Sequence, residues 1–255
     1  RMSDMFRLDG KIALVTGSSQ GIGNALAQGL ADQGAIPVIN GRDAARTEAA
    51  VEAFRKQGIK AWPAIFDVTD RASVEAGIAK IEDEIGPIEI LINNAGIQYR
   101  TPLEDFPAEQ WQRLFDTNVS GTFYTGQAVA RHMIGRARGK IINICSVQSE
   151  LARPGIAPYT ATKGAVRNLT RGMCTDWAKY GLQINAIAPG YFETPLNQAL
   201  VDDPAFTAWL EKRTPAGRWG NVEELIGAAV FLASSASSFV NGHTLAVDGG
   251  ITVSV

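Results

Sequence analysis

The chain has only two cysteines, Cys145 and Cys174, in 255 residues. So few exclude a disulfide framework, and neither stands in a CxxC or Cys/His cluster that would make a zinc site. No metal is expected, and a reducing compartment, the cytoplasm by default, is. There is no surplus of one charge: Lys plus Arg is 24, Asp plus Glu is 26, and the net charge is −2. A nucleic-acid partner needs a basic face to neutralise phosphates, so none is expected, although a local patch still suits a small anion. No stretch approaches the ~18 apolar residues of a membrane span, so no membrane partner is expected either. Arg1 to Gly10 lack the apolar region of a signal peptide. Arg1, ahead of Met2, is expected to be an added residue and is left out of the fold reasoning. Histidine is scarce, and His132 and His243 have no partners in sequence, which suits surface or core packing.

What is present is an ordinary apolar content, 45%, with 20% charged residues, enough for a sizeable core. Short apolar runs read as strands at Ile12–Val15, Ile36–Ile39, Ala61–Phe66, Ile88–Ile92, Lys140–Ile144, Leu182–Ala188 and Thr244–Val247. Helical stretches separate them, at Ala25–Gln33, at Ala44–Gln57 and around Ala76, Ala128, Val166 and Ala228. Such alternation implies βαβ units with right-handed crossovers. The expected fold is α/β: a doubly wound Rossmann fold, a seven-stranded parallel sheet with helices on both faces. No linker or repeat divides the chain, so residues 1–255 are expected to form one domain. The least regular region runs from Pro189 to Gly220. It follows a strand end, where such sheets place a ligand lid.

Thr16-Gly17-Ser18-Ser19-Gln20-Gly21-Ile22-Gly23 lies between the first strand and the first helix. Glycine there allows a tight turn and close backbone approach to a pyrophosphate, whose charge the helix N-terminus stabilises. By itself the run would also serve as a structural turn. At the end of the second strand, Gly41 holds the position of the usual ribose-binding acid, and Arg42 follows it. A guanidinium binds a 2′-phosphate that a carboxylate would repel, so NADP is expected over NAD. Arg42 would otherwise be a solvated charge, and Asp43 competes for it. Asp67 and Val68 end the third strand, and Asn93-Asn94-Ala95-Gly96 the fourth. Both segments fall on the ligand-binding edge of a parallel sheet, or serve only as caps and turns.

Tyr159 and Lys163 are four residues apart on a predicted helix and share its face. Ser146 ends the fifth strand, thirteen residues upstream of Tyr159. A Tyr-x-x-x-Lys pair alone is usually a solvated helix face. Joined to Ser146, the glycine run and Asn93–Gly96, it is specific.

On these residues, with Asn118 and Pro189-Gly190, the chain resembles the short-chain dehydrogenase/reductase family over nearly its whole length. The resemblance implies hydride transfer with a nicotinamide cofactor. It implies that Tyr159 is the acid/base, that Ser146 holds the substrate oxygen and that Asn118 holds a water in a proton relay. Lys163 would bind the nicotinamide ribose and favour proton release from the neighbouring phenol. Gly17, Ser18, Ser19, Gly21, Ile22, Gly23, Arg42, Asp67, Val68, Asn93, Ala95, Gly96, Tyr159, Lys163, Pro189 and Gly190 would bind the cofactor. An ordinary tyrosine titrates near pH ~10, too high for a base at neutrality without help of this kind. A homotetramer is also implied; the helices at Phe123–Met133 and Ala165–Met173 would pair between subunits or simply cover the sheet.

Several further segments resemble the branch of this family that interconverts D-gluconate and 5-keto-D-gluconate. They are Asn143–Leu151, Ala188–Phe192, Phe206–Leu210, Lys212–Gly220 and Phe239–His243. Tyr99 stands where that branch is expected to carry a basic residue. The implied substrate is a sugar acid. Arg100 would pair with its carboxylate, Arg153 is a second candidate, and Gln148, Ser149 and Glu150 would bind hydroxyls beside Ser146 and Tyr159. Arg100 and Glu150 would alternatively be solvated or paired with each other. Two other functions share the core motifs: a 3-oxoacyl-(acyl-carrier-protein) reductase, and a regulator that binds NADP without turnover. The intact Ser146, Tyr159 and Lys163 speak against the second, since a sensor needs no proton donor.

Overall fold

The computed structural model describes residues 2–255. Arg1 lies outside them. Seven strands form one sheet: β1 (Ile12–Val15), β2 (Ile36–Gly41), β3 (Trp62–Ile65), β4 (Ile88–Asn93), β5 (Gly139–Ile144), β6 (Leu182–Pro189) and β7 (Thr244–Val247). Their order is β3-β2-β1-β4-β5-β6-β7, and every pairing is parallel. This is the expected doubly wound sheet. The order reverses between β1 and β4, which leaves a crevice at their carboxyl ends.

The strands are apolar throughout because both faces are covered. Side chains alternate between the two cores. Ala13, Val15, Ile90, Ile92 and Ile142 enter one with α1 (Gly21–Asp32), α2 (Ala44–Lys56) and α9 (Ile226–Ala233). Leu14, Leu91 and Ile141 enter the other with α3 (Arg71–Glu84), α5 (Gly121–Arg136) and α6 (Ala157–Trp177). Asp43 caps α2 and Asp70 caps α3 through their carboxylates, whereas α1 has no side-chain cap. The free N–H groups at the start of α1 therefore remain available at the crevice.

Three local features differ from expectation. Helix α1 starts at Gly21, four residues before Ala25, because the glycine run itself supplies its first turn. The region after β6 is not irregular throughout: it contains α7 (Gln198–Val201) and α8 (Pro204–Arg213). Asp203 caps α8 and Pro204 occupies its first turn, a start signal present in the sequence. Lastly, α4 (Ala108–Phe115) joins α5 through a π-turn, Asp116–Ser120. Among the described residues no helix is long and apolar enough to cross a membrane.

Candidate active site

Asn40 ties the carboxyl ends of β1, β2 and β3 together. Its Oδ1 accepts from the Gly17 N–H at 3.1 Å, and its Nδ2 donates to the carbonyls of Ala64 and Phe66. Thr16 ties β1 to β4, its hydroxyl accepting from the N–H groups of Asn94 and Ala95 at 3.0 and 3.1 Å. Asn94 returns two bonds from Nδ2, to the carbonyls of Thr16 and Gly17. These bonds shape the glycine turn before any ligand arrives.

Within that turn the glycines do different things. Gly17 has φ +61°, and a Cβ on it would lie 2.9 Å from Ala95 Cα. Gly23 lies behind the turn, where a Cβ would meet Asn94 Nδ2 at 2.4 Å and the Gly17 carbonyl at 2.7 Å. Gly21, at φ +62°, faces open space at the head of α1. Backbone packed tightly behind and open in front is a cradle for a bulky anion.

The cradle opens into a cleft of about 880 Å³ along the carboxyl ends of the strands. Of the expected cofactor residues, Gly17, Ser19, Gly21, Ile22, Arg42, Asp67, Val68, Ala95, Gly96, Pro189 and Gly190 line it. So do Ser146, Tyr159 and Lys163, with Arg100 and Gln148. Lys163 is buried, and its ammonium donates to the Ile144 carbonyl at 2.9 Å. The same nitrogen stands 5.6 Å from the centre of the Tyr159 ring. Ser146 Oγ accepts from the Gln148 N–H at 3.1 Å.

Five expected site residues do not line the cleft. Ser18 is fully buried; its hydroxyl donates to the Val15 carbonyl and accepts from the Asn40 N–H, so it braces the turn from behind. Gly23 is the packing glycine just described. Asn93 is buried, with Nδ2 donating to Asn143 Oδ1 at 2.9 Å. Asn118 is also buried, in the π-turn. Its Oδ1 accepts from Ile97 N–H, and its Nδ2 donates to the Ile97 carbonyl and to Thr162 Oγ1. Thr162 in turn donates to the Tyr159 carbonyl at 2.7 Å. Asn118 thus links the β4 loop to the helix of Tyr159, and its amide is fully used in doing so. Glu150 pairs with Arg167 at 2.9 Å and turns away from the cleft. A hydroxyl-binding role for Glu150 is therefore replaced by an ion pair with α6.

Two glycines owe their place to neighbours that spacing does not reveal. A Cβ at Gly41 would meet Thr47 Oγ1 at 2.4 Å, and one at Gly190 would meet Asp248 Cα at 2.7 Å. Arg46 joins Arg42 at the cofactor end of the cleft, while Arg42 lies 3.9 Å from Asp67.

The far end of the cleft holds groups that sequence reasoning missed. Tyr191 accepts a hydrogen bond from Gln148 Nε2 at 3.0 Å. Burial pushes its phenol up, against the opposing pull of Arg153 beside it. Rings of Phe206, Trp209 and Trp219 surround Tyr191 at 5.7–6.2 Å. Arg100 reaches Asn197 at 3.4 Å, and burial, followed by the neighbouring Arg153, lowers its guanidinium from the ordinary value. Cys145 lines the cleft too, but burial pushes its thiol up to about 11, leaving it protonated and unreactive near neutrality.

Comparison with known proteins gives a consistent picture. The family model for short chain dehydrogenase matches residues 11–205. The chain is 65% identical over 252 residues to the gluconate 5-dehydrogenase of Gluconobacter oxydans, covering 99% of this chain and 98% of that one. It is 56% identical over 254 residues to the 5-keto-D-gluconate 5-reductase of Escherichia coli K12, covering 100% of both. A crystal structure of a gluconate 5-dehydrogenase from Burkholderia cenocepacia, in complex with NADP and tartrate, superposes with a TM-score of 0.98 at 61% identity, again covering 100% of both chains.

Proposed function

The chain belongs to the short-chain dehydrogenase/reductase family, and from that premise we propose that it interconverts D-gluconate and 5-keto-D-gluconate with NADP as cofactor. One observation carries the reading. A single cleft joins an anion cradle, the Tyr159–Lys163 pair beside Ser146, and Arg100. The names of the relatives at 56–65% identity support the substrate. Relatives at 39–45% from Formosa agariphila, Bacillus subtilis, Dickeya dadantii and E. coli are named 2-dehydro-3-deoxy-D-gluconate 5-dehydrogenases, which keeps the chemistry at C5 of a sugar acid.

The residues present fit a dinucleotide phosphate. The cradle at Gly17–Ile22 suits the pyrophosphate, with the uncapped start of α1 behind it. Arg42 and Arg46, with no acid at position 41, suit a 2′-phosphate, which the NADP bound in the B. cenocepacia structure also supports. When bound, NADPH supplies a hydride to the carbonyl carbon. Ser146 holds the carbonyl oxygen and Tyr159 gives it a proton, so that C–H and O–H bonds form and the alcohol leaves. Lys163, fixed by Ile144, holds the ribose and keeps positive charge beside the phenol. In the oxidative direction Tyr159 accepts the hydroxyl proton. Arg100 pairs with the substrate carboxylate.

Residues 190–220 serve as the substrate lid of one domain. A homotetramer belongs to the same reading; the exposed Trp111 and Phe123 on α4 and α5 suit a subunit contact. Two unpaired cysteines suit the cytoplasm.

The decisive measurement is NADPH oxidation with 5-keto-D-gluconate. The wild-type enzyme reduces it, and Arg100→Ala raises KM by roughly 10- to 150-fold, the loss of a charge-assisted hydrogen bond of ~1.5–3 kcal/mol. No reduction by the wild type overturns the substrate reading.

A further inference from the structure

Arg100 is not the only cation at the substrate end. Arg153, on the loop after β5, lines the same cleft, close enough to lower the Arg100 guanidinium by like-charge repulsion. Neither arginine has a carboxylate partner among the described residues. The acid nearest Arg153 in sequence, Glu150, is already closed with Arg167. Two cations facing one polar cleft without a counter-charge leave a site short of an anion.

Two buried polar atoms are also unpaired there. Arg153 Nε has no hydrogen-bond partner, and neither does Oε1 of Gln148, a side chain only 6% exposed. Buried groups of this kind normally find partners, so ligand atoms are the natural complement. The unpaired atoms are a donor and an acceptor, the needs of a carboxylate and an adjacent hydroxyl.

The lid touches both arginines. The Arg153 guanidinium lies 5.4 Å from the centre of the Phe206 ring on α8, while Arg100 reaches Asn197 just before α7. Asn197 is itself held by a 3.0 Å bond from its Nδ2 to the Phe192 carbonyl. A ring under a guanidinium fixes its plane and leaves its edge free for a planar carboxylate.

Resting on the sugar-acid reading above, we propose that Arg153 completes with Arg100 a two-guanidinium receptor for the substrate carboxylate, that Gln148 Oε1 accepts a neighbouring hydroxyl, and that Phe206 is a positioning residue that orients Arg153. The lid is then docked most firmly when the anion is present, because the anion relieves the repulsion between the two arginines that hold it. Acidic substrates are selected over neutral polyols by both arginines together.

The test is direct binding to the NADPH-loaded enzyme by calorimetry, with D-gluconate, tartrate and the neutral D-glucitol as probes. Arg153→Gln weakens both carboxylates by roughly 10-fold or more, the scale of a lost charge-assisted hydrogen bond, and lowers their advantage over D-glucitol. Arg153→Lys, which keeps the charge but not the fork, recovers part of that advantage. For 5-keto-D-gluconate, Phe206→Leu raises KM by roughly 2- to 30-fold, the range of a cation–π contact, and moves kcat less than KM. Unchanged carboxylate binding in Arg153→Gln overturns the proposal, as do equal losses for gluconate and D-glucitol or a wild type that binds no carboxylate. A wild type that binds gluconate through Arg153 without reducing 5-keto-D-gluconate refutes the reaction assigned above and leaves the receptor standing.

Discussion

Lys163 is held by Ile144: the last residue of β5 offers its carbonyl to the buried ammonium at 2.9 Å. The lysine on α6 is thereby registered against the strand that presents Ser146 two residues later. Removing a positioned general acid costs about 10²- to 10⁴-fold in rate. Tyr159→Phe, which keeps the ring, is expected to bind NADPH nearly normally and to lose turnover on that scale. Lys163→Met is expected to lose both, because its ammonium touches the cofactor site as well as the phenol. Cofactor fluorescence titration alongside turnover separates the two; a Tyr159→Phe enzyme with near-normal kcat refutes the acid/base assignment.

Cofactor preference is expected to rest on Arg42. Arg42→Ala should lower kcat/KM for NADPH by roughly 10- to 150-fold and leave NADH little changed. An unchanged ratio would pass the 2′-phosphate to Arg46, which shares that end of the cleft. Placing an acid at position 41 is the poorer design, since its Cβ must displace Thr47 Oγ1.

Gly23→Ala should destabilise the protein by ~1–3 kcal/mol through overpacking and weaken NADPH binding. The added methyl meets the Gly17 carbonyl, a backbone atom of the cradle itself. Gly172→Ala, on α6 with nothing within 4 Å, is the control and should be neutral or stabilising by ~0.5–1 kcal/mol. Thermal melts with and without NADPH distinguish the two; equal Tm values would show that the turn yields.

Much of the fold was legible because both-face burial writes itself into sequence as apolar runs. All seven strands fall where those runs lie, with ends shifted by a residue or two, as at Gly41 and Pro189. The site was legible where one short segment carries the chemistry, as in Tyr159 and Lys163. It was not legible where a side chain's role depends on a distant partner. Ser18 is claimed by Asn40, Glu150 by Arg167 and Asn93 by Asn143, none of them near in sequence. The aromatic wall around Tyr191 was hidden for the same reason: Phe206 and Trp219 meet it only through the path of the lid.

A pH dependence of stability should come from the opposite end of the sheet. Lys140, near the start of β5, is buried, and burial followed by Lys11 pushes its ammonium down to about 8. An unfolded lysine titrates near ~10.4. Between these values the unfolded chain binds more protons, so this group adds stability as pH rises from about 8 towards ~10.4. Below about 8 the charge is carried in both states and its burial is a cost. Lys140→Met should therefore be more stable than wild type at about pH 7, with the gap closing towards the unfolded value of ~10.4. Denaturant melts across that range test it, and a pH-independent gap would assign the cost to packing instead.

The π-turn at Asp116–Ser120 sets the rotational phase of everything after it. The Gly121 N–H bonds the Asp116 carbonyl, five residues back instead of four, so the turn holds one residue more than a regular helix would. One residue is about 100° of helical rotation. That offset lets α4 keep its own orientation while α5 turns Val129 and Met133 into the core. Deleting a single residue here would leave every later amino acid unaltered and yet rotate α5 off its seat, carrying the apolar stripe towards water. The reading frame of packing, like that of a gene, does not tolerate the loss of one unit as easily as the exchange of one.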